Sequence, residues 1–359
     1  RVHDILTVVG FLTILLVVML GYFLKNPTEV SDSERRRLAQ LPDFSVDSVL
    51  GGGYFDKFET YTNDQFLWRE SARHVKAMFR YGVLLKKENH GIYELDGTLI
   101  KREEVYKESI LKKNLIVWNR IAQNMPVGTS LYYAVIPDKN YFGYAPKMDY
   151  TGFDESIGNI LSSNFTKIPL SLNLNDYYRT DLHWKQESIY DTATKIAEAM
   201  NVSIDALSSY RLHDIGELKG AYTGQSARAE RPDRLIVAEN DSTTDAEVVV
   251  LGDGDTVRSI PVYDADRLGD VDAYSVFLGG PEAAIRIVNP HQDNNRTLVV
   301  FRDSFASSLI PYLISGYEQI YLLDLRYMNS SLIPNLGFEK ADDVLFLYSY
   351  TSLGNLLMK

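Results

Sequence analysis

Hydrophobic and polar positions divide the chain into three regimes. The first, from Ile5 to Leu24, is an uncharged stretch of 20 residues bounded by Asp4 and Lys25. As a helix it measures about 30 Å, the thickness of a bilayer's hydrocarbon core. It is apolar around its whole circumference, unlike a helix that turns one face to a globular core. The segment Gly21-Tyr22-Phe23-Leu24-Lys25-Asn26-Pro27 offers no small-residue cleavage site. The pattern predicts an uncleaved transmembrane anchor over residues 1–25.

Residues 26–89 form the second regime. A polar juxtamembrane linker carries Ser33-Glu34-Arg35-Arg36-Arg37, whose arginines fit either a solvated run or contact with anionic headgroups. After Gly51-Gly52-Gly53, two helical patterns follow. Tyr54, Phe55, Phe58 and Tyr61 share one face, and Val75, Met78, Phe79 and Val83 share another. Both stripes are expected to pack on the domain beyond.

In the third regime, residues 90–359, strands and helices alternate. The run 91–100, with Asp96-Gly97 at its centre, predicts a hairpin. Helices are expected over about 103–124 and 186–200, and strands over 131–136, 297–301, 319–323 and 344–348. A helix opening at Ser304 crosses between the 297–301 and 319–323 strands. This alternation predicts an α/β domain, a parallel sheet flanked by helices. Between about 205 and 290, short runs at 235–238, 246–251, 257–262, 274–278 and 284–288 are joined by Gly/Asp turns, which predicts an antiparallel β insertion. Gly252-Asp253-Gly254-Asp255-Thr256 resembles a cation-binding loop, but it lacks the closing Glu and flanking helices of an EF-hand. A hairpin turn is expected there.

Composition narrows the function. The net charge is −11 with basic residues scattered, which argues against a nucleic-acid partner, since phosphate neutralisation needs a basic face. The absence of cysteine excludes disulfides, thiolate metal sites and a Cys nucleophile. Orientation of the anchor stays open on charge alone. Lys25 and Arg35 to Arg37 follow the span and only Arg1 precedes it, which would put the bulk of the chain in the cytosol. The chain does not begin with methionine, and a longer, more basic flank would reverse that assignment.

Candidate chemistry concentrates at two stretches. In Leu298-Val299-Val300-Phe301-Arg302-Asp303-Ser304-Phe305 a buried strand runs into a polar pair. The helical pattern Ala306, Leu309, Ile310, Leu313 then begins. Strand, sharp turn, serine and helix is a way to expose a nucleophile beside backbone N–H groups that face an oxyanion. Asp303-Ser304 also fits a plain helix cap. The second stretch is Asp181-Leu182-His183-Trp184, ahead of the 186–200 helix. In an extended segment Asp181 and His183 point the same way. The carboxylate would then fix the imidazole tautomer while the other ring nitrogen accepts a serine proton. A structural brace and a metal-ligating Asp-x-His pair are the competing readings. For a metal, His213 and His291 stand isolated in sequence. Three further residues, Lys139, Arg326 and Tyr327, follow predicted strands at the carboxyl end where open sheets bind ligands. An Asp324–Arg326 ion pair is the structural alternative. Trp184 fits either a sugar platform or a packing wedge.

Asp181-Leu182-His183-Trp184 together with Arg302-Asp303-Ser304-Phe305 resembles the DHHW family and the alginate O-acetylation proteins of the AlgJ/AlgX type. The order of Ser33-Glu34-Arg35-Arg36-Arg37-Leu38-Ala39, the segments 44–48, 61–69 and 136–141, and the segment 272–280 also follows that pattern. Leu182 departs from it, standing where the family name has His. The resemblance implies an SGNH-hydrolase-like, membrane-anchored enzyme with its catalytic domain outside the cytoplasm, and so supplies the orientation that charge leaves open. It implies Ser304 as nucleophile, His183 as general base and Asp181 as its orienter. The implied reaction moves acetyl groups onto an extracellular polysaccharide from a donor supplied by a multispan membrane acyltransferase. The alternatives are an acetylesterase with the same triad, or a non-catalytic polysaccharide-binding or assembly protein. No cofactor and no metal enter this reading.

Overall fold

In the computed structural model, which describes residues 2–252, 257–331, 333 and 340–359, the chain folds into two compact units. One comprises residues 1–90 with 223–229, the other 91–222 with 230–359.

In the first unit a helix runs over Val2–Leu24, with its apolar side chains exposed from Val2 to Val17 and at Met19, Leu20 and Leu24. Residues 30–37 are not an open linker. Val30–Ser31 pairs antiparallel with Arg36–Arg37, and Arg36 grips Asp64 through two nitrogens at 2.6 and 2.8 Å. Arg69 pairs with Glu34. Of the three arginines at 35–37, Arg36 is therefore drawn into ion pairs with Asp64 and Glu34. Helices Val46–Leu50, Gly53–Asp64 and Arg69–Met78 follow. On these stripes Phe55, Phe58, Val75, Met78, Phe79 and Val83 are exposed, and Tyr54 and Tyr61 are half-buried.

In the second unit an eight-stranded sheet forms the centre. Its order is Val257–Ile260, Glu247–Leu251, Ala284–Val288, Gln319–Leu323, Thr297–Arg302, Asp343–Ser349, Ser130–Ile136, Phe165–Lys167. Neighbours from Gln319–Leu323 to Phe165–Lys167 pair in parallel, and the other three pairings are antiparallel. The sheet is thus mixed and mostly parallel. The runs expected to form a separate insertion mostly join it. Only Arg211–Leu218 and Asp233–Glu239 make a ribbon of their own. The 274–278 run is not a strand. The Asp272 carboxylate accepts from Tyr274 N–H and starts a 3-10 turn over Ala273–Val276. Residues 253–256 of the suspected cation loop lie outside the described residues. The segments flanking them, Glu247–Leu251 and Val257–Ile260, pair antiparallel.

Successive residues of the central strands enter opposite hydrophobic clusters, as a period of two requires. Leu298, Val300, Ile320, Leu322, Leu345 and Leu347 join one cluster. Val299, Phe301, Tyr321, Leu323, Val344 and Phe346 join the other. Helices Tyr190–Ala199 and Ala306–Leu313 cover the first face; Glu108–Gln123, Tyr150–Ile160 and Tyr350–Asn355 cover the second. With both faces covered, the central strands read as continuous apolar runs. The Asp96-Gly97 turn sits where expected, both residues at positive φ (49° and 77°) between Ile92–Leu95 and Thr98–Lys101.

Candidate active site

Thr297–Arg302 lies inside the sheet with a parallel neighbour on each side, so its carboxyl end opens at the middle of one sheet edge. The chain turns there through Asp303 and Ser304 into helix Ala306–Leu313. The two polar residues divide the work. Asp303 is fully buried; one of its oxygens accepts from Phe305 N–H, and the other from the amide and hydroxyl of Ser349 at 2.8 Å each. It caps the turn and pins it to the end of the adjacent strand. Ser304 is half-buried, and its hydroxyl bonds elsewhere.

The partner arrives on the 177–184 segment. This segment is closed as a narrow loop by the Tyr177–Trp184 bridge and the bond from Tyr178 N–H to His183 carbonyl. It is not an extended strand. Asp181 accepts from the backbone N–H of His183 two residues on, at 3.1 Å, an Asx turn that folds the imidazole back over the carboxylate. The same oxygen lies 2.7 Å from His183 Nδ1. Because a carboxylate only accepts, Nδ1 carries the proton and Nε2 is left as an acceptor. Nε2 sits 2.8 Å from Ser304 Oγ. Ser304, His183 and Asp181 therefore form one hydrogen-bonded chain, with the last two buried.

Several groups hold this chain in place. The second oxygen of Asp181 accepts from Ala221 N–H at 2.9 Å. Gly220 permits that approach, since a Cβ there would lie 2.1 Å from the Thr180 carbonyl. Thr180 Oγ1 donates to Asp233 at 2.5 Å. The imidazole of His183 stacks on Tyr274, with ring centroids 3.8 Å apart and planes 4° from parallel. The Tyr274 hydroxyl bonds Ser308 Oγ at 2.7 Å, and burial raises its pKa. Arg302, wholly buried, donates to Ser307 Oγ at 2.8 Å, and burial lowers its pKa.

Trp184 is fully buried. Its indole N–H reaches Phe305 carbonyl at 3.0 Å and Ser308 Oγ at 2.9 Å, so it is a wedge joining the histidine loop to the serine turn and no platform for a sugar. Lys139 is also buried. Its ammonium donates to the carbonyls of Tyr178, Arg179 and Asp181 at 2.8, 3.3 and 2.9 Å. Burial pushes its pKa down to about 7, against the pull of Asp181 and Asp233. Lys139 thus holds the loop that bears Asp181 and His183, with its ammonium turned into the protein. Arg326 is engaged by Asp324 through two nitrogens at 2.9 and 2.6 Å, the ion-pair alternative. Its guanidinium lies over the ring of Tyr327, which is half exposed. Of the expected substrate contacts, only Tyr327 presents an open side chain. Among the described residues no group of three His, Asp or Glu side chains is arranged to hold a metal. His213 and His291 each pair with one carboxylate, Glu239 and Asp245.

The sequence reading missed Tyr274, Ser308, Ser349 and the Ala221 N–H. Tyr274 belongs to the 272–280 segment already noted in the family pattern, though nothing there announces a ring stacked on His183. A backbone N–H carries no residue-type signal at all.

Residues 153–323, which include Asp181, His183 and Ser304, match the model of the family described as DHHW protein. No curated protein sequence matches significantly. Among solved structures, a DHHW family protein from Eubacterium siraeum is similar at TM-score 0.60 and 22% identity, covering 76% of this chain and 98% of that one. Bacillus cereus PatB1 bearing a sulfonyl adduct is similar at TM-score 0.60 and 19% identity, covering 73% and 97%. The O-acetyltransferase domain of Pseudomonas putida AlgJ aligns at TM-score 0.42 and 16% identity, covering 74% and 92%.

Proposed function

From the premise that residues 153–323 are a DHHW-family segment, we propose a serine-dependent O-acetyltransferase of the SGNH-hydrolase-like type. It is anchored by its N-terminal helix and acts outside the cytoplasm on an exopolysaccharide. The observation that carries the reading is the unbroken relay from Ser304 Oγ through His183 to Asp181, at 2.8 and 2.7 Å. The sulfonyl adduct of PatB1, a relative by fold, supports an activated nucleophile in this architecture. The acetyl chemistry itself comes from the motif resemblance.

In the proposed cycle Ser304 Oγ attacks the donor's acetyl carbonyl while His183 Nε2 takes the hydroxyl proton. Asp181, hydrogen-bonded to Nδ1–H, stabilises the imidazolium. The oxyanion is received by the Ser304 N–H at the helix start. Collapse breaks the acyl bond to the donor, whose leaving oxygen or sulfur takes the proton back from His183. A glycan hydroxyl then attacks the acetyl-serine, giving its proton to His183, which returns it to Ser304. The anchor, Val2–Leu24, would keep the site beside a multispan acyltransferase that delivers acetyl groups across the membrane.

The test is to supply p-nitrophenyl acetate and an oligosaccharide acceptor to the detergent-solubilised full chain, and to measure acetylated sugar against free acetate. The acetyltransferase reading expects acetylated sugar in wild type and none in Ser304→Ala. Free acetate alone, lost in the same variant, identifies an acetylesterase with water as acceptor. Equal rates in wild type and Ser304→Ala overturn the covalent mechanism.

A further inference from the structure

Within the first unit, helix Gly53–Asp64 and the turn after it attach to the last turns of Val2–Leu24. Tyr61 meets Tyr22 edge to face, with ring centroids 6.0 Å apart. A Cβ on Gly21 would lie 2.5 Å from Leu67 Cδ2, so glycine lets the leucine seat there. The Gln65 side chain accepts from Thr28 N–H and donates to its carbonyl, at 2.9 Å each. Trp68 lines the same hollow as Lys25 and Thr28. From Tyr22 a ladder of rings leads away through Tyr61, Phe58 and Tyr54 to Phe44, with steps of 6.0, 6.1, 6.0 and 5.7 Å.

Phe44 at the end of this ladder is 72% exposed and Phe58 38%, while Tyr22, Tyr54 and Tyr61 are half-buried; beside the ladder Phe55 is 59% exposed and Trp68 60%. Exposed aromatic surface that is continuous with the end of an apolar helix has the composition of a membrane-interface belt, where rings sit at headgroup level. We infer that helix Gly53–Asp64 and the Trp68 turn lie in the headgroup–acyl boundary of the bilayer, a second attachment beside the anchor. The occupant of this surface is lipid. The inference rests on the reading of Val2–Leu24 as a membrane span. Its consequence is that the first unit is held on the membrane surface over the length of a helix, about 18 Å at 1.5 Å per residue, and does not hang from a single tether.

Trp68 is the reporter already present, because the other two tryptophans, Trp118 and Trp184, are fully buried. The full chain is reconstituted in phosphatidylcholine vesicles brominated either near the headgroup or near the acyl-chain end. Trp68→Phe subtracts the buried rings. A second reporter, Phe55→Trp on the Trp68→Phe background, probes the far half of the helix. The expected result is loss of emission from both reporters, larger with shallow than with deep bromines. Unquenched reporters in a chain that resists alkaline extraction overturn the inference and leave the surface for a protein partner. Quenching of Trp68 without quenching at position 55 also overturns it, since the helix then stands away from the bilayer. Release of the chain by alkaline extraction would instead sink the anchor reading, and the inference with it.

Discussion

Replacing Asp181 by asparagine changes two atoms' charge and hydrogen count while keeping the side chain's shape. In the wild type one carboxylate oxygen accepts from His183 N–H and Nδ1–H, and the other from Ala221 N–H. An amide has one acceptor oxygen for these two places. With that oxygen toward His183, the NH2 confronts Ala221 N–H, which is left buried and unpaired. Turned over, the NH2 confronts His183 N–H, and the imidazole must switch tautomer, placing Nε2–H against Ser304 where no proton can be accepted. Either way one buried backbone donor loses its partner, at about 1–3 kcal/mol. The negative charge beside the imidazolium is lost in both. At about 4 Å and an effective dielectric constant of ~20 that charge is worth about 4 kcal/mol, or about 10³-fold in rate. Asp181→Asn is therefore expected to lower kcat for p-nitrophenyl acetate by about 10³-fold or more, with KM near wild type. In parallel, urea unfolding followed by circular dichroism should show a loss of about 1–3 kcal/mol. A variant with both unchanged stability and a less than tenfold loss of rate would refute the assignment of Asp181 as orienter.

Other substitutions separate the supporting groups from the relay. Tyr274→Leu removes a stack worth about 0.5–1.5 kcal/mol, so kcat should fall about threefold to tenfold. Tyr274→Phe keeps the ring and should stay within about twofold in kcat, while losing about 1 kcal/mol of stability with the Ser308 bond; equal kcat losses would show that the stack is not what matters. For Lys139, the folded pKa of about 7 lies below the unfolded value, which is about 10.4. Between those values the unfolded state holds more protons, so the cost of the buried charge is full below pH 7 and relieved as pH rises. Stability should climb by about 1.4 kcal/mol per pH unit in that window. Lys139→Met should abolish the climb between pH 7 and 9 in urea unfolding, and parallel profiles for the two proteins would contradict it. Gly220→Ala drives a methyl into the Thr180 carbonyl and should cost activity by displacing Asp181; full activity in this variant would show that the contact yields without consequence.

What could be read in the sequence follows from what was local. The buried strand Thr297–Arg302 shows as an apolar run because its parallel neighbours and helix layers dry both faces, and Ser304 shows because the run ends in polar residues before a helical period. Asp181 and His183 were legible as a pair, but for a different geometric reason: an Asx turn, where alternation along a strand was expected. Sheet membership was not legible. The runs that became Glu247–Leu251, Val257–Ile260 and Ala284–Val288 show as short β-branched or apolar segments, and such a segment names no partner strand. Position at a strand's carboxyl end also misled. Lys139 and Arg326 both stand there, yet one is taken by three carbonyls and the other by Asp324. At Phe55 and Val75 periodicity marks an apolar face without saying what covers it.

The claim on which the rest depends is that Ser304 is an activated nucleophile. Phenylmethylsulfonyl fluoride applied to the full chain in detergent, followed by proteolysis and mass spectrometry of the modified peptide, tests it most directly. The expected result is one sulfonyl adduct on Ser304, absent in Ser304→Ala and strongly slowed in His183→Ala, with acetyl ester hydrolysis lost in step. Labelling at other serines only, or labelling of Ser304 at the same rate without His183, would contradict it.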